Sequence, residues 1–284
     1  MIEYIKMIIV AVVCGFMAPL PTSSSAHFSI ISKAVSLTSD ENKLGFYFAL
    51  FSVTFSVVIF LCLRKIYLKS FKSLFTKGNK SDVNLKVYKN VSKNILLTIL
   101  PMVLLFIPIG DGKFIIDYFD KFLSDNGLYL TGVACIINAL VLLVARWYAK
   151  QENKKLKRVC STMSALRMSA YQLVSYIVPG FSHVASGSTN MLLGDVHPKV
   201  IMREVYLYLA PSMFVVNIAK IVKYLIHDTI IDAVQAVVGI VVFAVMSLIV
   251  MKLVAKFNIR RVLLFFCIYS ALLGVGAVVL TFII

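Results

Sequence analysis

Two short stretches of this chain carry residues suited to handling an anion. The first, A-P-L-P-T-S-S-S-A-H over 18–27, sets Ser23, Ser24 and Ser25 between the helix breaker Pro21 and a new apolar run. A helix starting there offers free backbone N–H groups, and hydroxyls beside them complete an anion site. His27 follows Ser23 and Ser24 within about one helical turn, so it reaches the same ligand. The second, P-G-F-S-H-V-A-S-G-S-T-N over 179–190, repeats the theme with Gly180, Ser182, His183, Ser186, Ser188 and Thr189. Small residues allow close backbone approach, hydroxyls donate, and an imidazole carries positive charge or shuttles a proton. Phosphate is the anion that wants this combination. Serines beside proline also serve simply as helix caps, and a histidine in an apolar setting also serves simply to bond a neighbouring helix.

The elements that must position these residues are membrane helices. The chain has 284 residues, 60% of them hydrophobic and 15% charged, with mean hydropathy +0.90. A soluble domain would carry more charge, and apolar segments of about 20 residues recur. The composition predicts an all-α polytopic membrane protein, one domain over 1–284. Candidate spans are 44–63, 95–109, 128–147, 205–225, 233–251 and 262–284. The second of these starts nearer Val91 and kinks at Pro101. Regions 4–37 and 168–194 are interrupted by the two stretches above, and each half is too short to cross alone. Each predicts a re-entrant helix pair. Broken backbone at membrane depth is tolerated inside protein or beside a cavity, so the two breaks should meet within the bundle. Polar groups there are costly and usually functional.

The net charge of +16 is confined to loops, which argues against nucleic-acid binding. Residues 64–93 and 146–167 hold Lys and Arg against one acid each, Asp82 and Glu152. Both read as cytoplasmic, facing anionic lipid headgroups. Residues 38–43, 110–126 and the stretch around His227, Asp228 and Asp232 are acidic or near neutral and read as outside. Lys252, Lys256, Arg260 and Arg261 mark another inside loop. With both broken regions re-entering on their own side, the loops alternate and both termini lie outside. Each half is then one re-entrant pair plus three spans, and the odd number inverts the second copy. Pseudo-repeats 1–150 and 165–284 would bring the two breaks together near the midplane. The N-terminus does not read as a cleaved signal peptide, having Glu3 and Lys6 but no basic leader. Cys14, Cys62, Cys135, Cys160 and Cys267 show no paired or metal-ligand spacing and read as small hydrophobes, with no disulfide and no metal.

On these motifs the chain resembles the undecaprenyl-diphosphatase family, the bacitracin-resistance type, along its whole length. The family's first motif, E-G-x-x-E-F-L-P-x-S-S-x-G-H, aligns with C-G-F-M-A-P-L-P-T-S-S-S-A-H over 14–27. Its second, P-G-x-S-R-S-x-x-T, aligns with P-G-F-S-H-V-A-S-G over 179–187, followed by M-L-L-G and R-E-V-Y-L-Y-L-A-P-S-M. The departures are specific. Both motif glutamates are missing, replaced by Cys14 and Ala18. The arginine is His183, the next serine is Val184, and the threonine falls on Gly187, with Ser186, Ser188 or Thr189 as substitutes.

The resemblance implies a multi-pass protein of the bacterial cell membrane. It would recycle a polyprenyl diphosphate carrier in peptidoglycan synthesis, with a divalent cation as a family cofactor. It implies phosphate-binding roles for Ser23, Ser24, Ser25, Gly180, Ser182, Ser186 and Thr189, and catalytic roles for His27, His183 and Ser24. Histidine cannot copy an arginine fork, and cysteine or alanine cannot act as a carboxylate base or hold a hard cation. Three readings stay open. One is a diphosphatase with a reduced site, slow or inactive in hydrolysis. Another is a non-hydrolytic binder or flippase of polyprenyl phosphate. The last is an unrelated ion or solute transporter.

Overall fold

The computed structural model describes residues 2–76, 83–109, 114–149, 156–157, 159–226, 229 and 231–283, with the side chains of 119–126 and 283 set aside. Residues 77–82, 110–113, 150–155 and 227–228, assigned above to loops, lie outside the described residues. In chain order the helices are α1 (Ile2–Met17), α2 (Ser24–Ala34), α3 (Glu41–Cys62), α4 (Arg64–Phe75) and α5 (Val83–Ile99), which runs into a 3-10 stretch, Leu100–Phe106. Then come α6 (Ile115–Ala149), α7 (Thr162–Ile177), α8 (His183–Leu193), α9 (Ile201–Ile226), α10 (Ala233–Val254) and α11 (Ile259–Ile283). Among the described residues, six segments are long and apolar enough to cross a membrane: Glu41–Cys62, Val83–Phe106, Gly127–Ala149, Ile201–Ile226, Ala233–Val254 and Ile259–Phe282. The chain is an all-helical, multi-pass membrane protein.

Each break is written in its residues. Pro19 and Pro21 stop α1, and Ser23 then caps α2 by accepting from the Ala26 N–H at 3.1 Å. Pro179 and Gly180 follow α7, and Ser182 caps α8 by accepting from the Ala185 N–H at 3.1 Å. Pro211 sits inside α9, where it cannot donate to the carbonyl of Leu207. The Tyr67 hydroxyl of α4 donates to that carbonyl at 2.8 Å and replaces the missing bond.

Three helix pairs build the core: α3 on α9, α6 on α11 and α1 on α10. The α6–α11 crossing is close because it is glycine on glycine. A Cβ on Gly132 would come within 2.7 Å of the Gly274 carbonyl oxygen, and a Cβ on Gly274 within 2.7 Å of that of Gly132. Small residues at a crossing let membrane helices approach closely.

Three expectations shift. Most of the basic stretch 64–93 is helix rather than loop, because Lys65, Lys69 and Lys72 repeat at helical spacing on α4. The span expected at 128–147 belongs to a longer helix starting at Ile115, with Asp117 in its first turn where the helix dipole favours acid. At Pro101 the chain tightens into the 3-10 stretch instead of kinking a continuous α-helix.

Candidate functional site

The two breaks touch and complete each other. The Gly180 N–H donates to Ser25 Oγ at 3.0 Å, and Ser182 Oγ donates to the Thr22 carbonyl at 2.6 Å. Ser25 Oγ also lies 3.1 Å from Ser23 Oγ. The Tyr206 hydroxyl of α9 donates to the Pro19 carbonyl at 2.6 Å. Gly180 has φ +88°, and a Cβ there would run into the backbone of Thr131 on α6. Glycine is therefore required by both conformation and space.

Beside this junction lies a cavity of about 250 Å³. Ser25 and Pro179 come to it from the breaks, and His183 from the first turn of α8. Lys33 of α2 joins them, with Asn217 and Lys220 of α9, while Phe28, Phe48 and Tyr224 form apolar wall. The His183 ring packs on Tyr176 with centroids 4.4 Å apart, and its Nδ1 is buried without a hydrogen-bond partner.

His27 points elsewhere. Its Nδ1 lies 2.6 Å from the Ser23 carbonyl, which only accepts, so Nδ1 carries the proton. Its Nε2 then accepts from the Tyr269 hydroxyl of α11 at 2.6 Å. Both ring nitrogens are engaged in tying the first break to the last helix, and His27 does not line the cavity.

Ser24 faces a second, smaller space. With Cys14, Ala18 and Ser52 it lines about 10 Å³, walled by phenylalanines including Phe51 and Phe243. That is room for about one water. Cys14 and Ala18 stand one turn apart on the same side of the α1 end, the Ala18 N–H donating to the Cys14 carbonyl at 2.9 Å. A hard divalent cation needs oxygen ligands, usually carboxylates. A thiol, a methyl and two hydroxyls among aromatic rings do not suit one, and among the described residues no group of three His, Cys, Asp or Glu is placed to hold a metal.

The remaining candidates sit deeper. Ser186 is fully buried and donates back to the His183 carbonyl at 3.1 Å. Ser188 donates to Met202 Sδ at 3.6 Å, and Thr189 Oγ1 is buried without a hydrogen-bond partner. Ser23 and Ser182 are spent as caps and cross-links. The structure thus brings Ser25 and His183 to one cavity, Ser24 to a neighbouring space, and Ser186 and Thr189 to the packing of α8. The sequence reading missed Lys33, Asn217, Lys220 and Tyr224. A lysine well inside a span, as Lys220 is, was the available signal.

Comparison with known proteins gives one family. The model for bacitracin resistance protein BacA matches residues 7–276. An undecaprenyl-diphosphatase of Clostridium tetani is 24% identical over 278 residues, covering 96% of this chain and 95% of its own. One from Bacteroides fragilis is 25% identical over 282 residues, 98% of each chain. One from Wolinella succinogenes is 26% identical over 271 residues, 94% of each.

Proposed function

Since the chain belongs to the bacitracin resistance protein BacA family, we propose that it binds the diphosphate of the undecaprenyl carrier beside its two helix breaks and hydrolyses it slowly or not at all. It would act in lipid-carrier recycling in the bacterial inner membrane. One observation carries the reading. The two breaks are cross-linked through Ser25–Gly180 and Thr22–Ser182 beside a cavity lined by Ser25 and His183, while the two motif-glutamate positions line a small aromatic space as Cys14 and Ala18. Binding groups survive where acid–base groups do not. His183, at the cavity, is the residue in place to take a proton if any hydrolysis occurs.

The test is phosphate release from undecaprenyl diphosphate by the purified protein, with and without divalent cations. The expected rate lies far below the ordinary enzymatic ~10 per second, and cations should not raise it. Turnover near that rate would make the protein an ordinary phosphatase with an altered site. Movement of the lipid across vesicle bilayers without phosphate release would favour the non-hydrolytic flippase reading.

We also propose an inverted repeat whose halves each open with a re-entrant pair. Two features support it. α1 and α7 are each 16 residues and α2 and α8 each 11, and both pairs are broken at a serine cap. Partnerships also mirror: α3 meets α9, α6 meets α11, and α1 on α10 corresponds to α7 on α5. The orientation follows from charge, with α4 inside and both termini outside. Single cysteines at Ser39→Cys and Lys72→Cys, in a background without native cysteines, test it with an impermeant thiol reagent on whole cells. Ser39→Cys should label and Lys72→Cys should not. Strong labelling at Lys72→Cys would refute the orientation.

A further inference from the structure

A second, larger space of about 660 Å³ adjoins the cavity beside the breaks, because Ser32, Lys33 and Leu44 line both. Its apolar wall draws Ile30 from α2, Leu44 from α3, Leu128 from α6 and Leu280 from α11. Leu44, Leu128 and Leu280 each lie within about one turn of a span end, at Glu41, Gly127 and Phe282. In the orientation proposed above these are the outer ends, so the space sits where hydrocarbon meets headgroups. Its polar rim, Ser36, Thr38, Ser39 and Glu41, is the turn that leads from α2 into α3. That rim is held in place. Ser36 has φ +50°, a costly conformation for a residue with a side chain. The Ser36 N–H donates to the Lys33 carbonyl at 3.0 Å and the Leu37 N–H to the Ser32 carbonyl at 2.9 Å. Lys6, ion-paired with Glu3, donates to the Ser36 carbonyl at 2.9 Å.

We propose that this outer space seats the first isoprene units of the lipid carrier's chain while the diphosphate occupies the inner cavity, an assignment that rests on the function proposed above. Size separates the two spaces. Ordinary ligand pockets begin near ~300 Å³, so about 250 Å³ beside the breaks admits a headgroup and little more. The outer 660 Å³ falls within the range that encloses a larger apolar ligand. Wall chemistry separates them too. Ser25, Ser175, His183 and Asn217 bring polar atoms to the inner cavity, whereas Ile30, Leu44, Leu128 and Leu280 are aliphatic. An aliphatic wall offers no directional bond and selects a chain by the methylenes it takes out of water. The place is suited to a lipid. Leu128 and Leu280 stand on the close-packed α6–α11 pair, and Ile30 and Leu44 on the opposite hairpin of α2 and α3. A chain leaving the inner cavity passes between them and rejoins the outer leaflet sideways. The rim is already fixed by its own bonds, so little ordering is lost on binding.

The test is equilibrium binding to the purified full-length protein in lipid nanodiscs, with two probes that share a head and differ in chain, farnesyl diphosphate and isopentenyl diphosphate. Each buried methylene is worth about four-fold in affinity, so the parent should bind the farnesyl probe at least about ten-fold more tightly. Leu280→Trp and Ile30→Trp fill the outer space and should remove most of that preference, leaving isopentenyl diphosphate binding within about two-fold of the parent. Val275→Trp, at an exposed position of the same helix α11, is the control and should change neither. A photoreactive farnesyl diphosphate analogue needs no variant, and on the parent it should cross-link to peptides carrying 30–44, 128 or 280. Equal binding of the two probes by the parent would overturn the chain seat, as expected if phospholipid tails fill the space. Tryptophan variants that keep the parent's preference, or cross-links that fall only elsewhere, would overturn it while leaving the proposed function standing. Tryptophan variants that lose both probes equally would show that the space serves the headgroup, which also overturns it. Binding of neither probe by the parent would sink the chain seat and the proposed function together.

Discussion

Combining Cys14→Glu, Ala18→Glu and His183→Arg raises phosphate release from undecaprenyl diphosphate by about 100- to 10,000-fold over the parent, the worth of one positioned acid–base group. The expectation follows from where the three residues lie. Cys14 and Ala18 share a space with Ser24, and Ser52 and Phe48 line both that space and the cavity holding His183. Carboxylates at 14 and 18 would thus stand one wall away from a guanidinium at 183. A charge clamp contributes a factor comparable to that of the acid–base group, but members of one catalytic unit are not additive, so the factors are not multiplied. His183→Arg alone should gain little, because it supplies charge without a base. The substitutions carry a cost. Cys14 is 2% exposed and Ala18 7%, and the space holds about one water, so carboxylates must push the phenylalanine walls apart or lose hydration. Melting temperature in detergent should fall as turnover rises. A triple variant that stays monodisperse on gel filtration yet releases phosphate no faster than the parent would show that the missing carboxylates are not what limits the chemistry.

Gly180→Val should abolish accumulation of folded protein, and Gly180→Ala should lower its melting temperature and its affinity for farnesyl diphosphate together. A residue with φ +88° and a side chain costs about 1–3 kcal/mol in backbone strain alone. The added Cβ would also overlap Thr131 backbone, which cannot swing aside as a flexible side chain can. Relief requires Gly180 to move, and its N–H then leaves Ser25. Gly276→Ala is the matched control, since nothing lies within 4 Å of a Cβ at Gly276 and its φ is not positive. Equal melting of Gly180→Ala and Gly276→Ala would mean that the contact between the breaks is not rigid.

What the sequence made legible was local. Continuous apolar runs placed α3, α9, α10 and α11 within a few residues of their observed ends, because a bilayer demands length and hydrophobicity from each helix separately. Pro21, Ser23, Pro179 and Ser182 announced both breaks, since stopping and capping depend on neighbours in the chain. What depended on distant partners was not legible. His27 reads as a ligand residue from its spacing to Ser23, yet its second nitrogen is taken by Tyr269, 242 positions away. Neither Lys33 nor Lys220, which lies within the candidate span 205–225, belongs to either motif. Only the folded arrangement, in which α2, α7, α8 and α9 all line one cavity, makes them neighbours. The helix α4 was hidden by its charge, because three lysines suggested a loop while Leu68, Phe71 and Phe75 supplied an exposed apolar side.

The bonds between the breaks also impose an order on biogenesis. Ser25 waits for a partner 155 residues later in the chain, and Thr22 for one 160 residues later. At a ribosomal rate of ~5–20 residues per second, that interval is about 8 to 32 seconds. Throughout it the nascent first half holds a broken helix whose polar groups lack their final partners, and each such group in hydrocarbon costs several kcal/mol. The broken pair α1–α2 therefore lacks the contacts of its final position when it is made. It must stay near the headgroups or against the insertion machinery until α7 and α8 arrive. Two half-chains expressed separately would each be a substrate for membrane proteases, and only their simultaneous presence would protect either one.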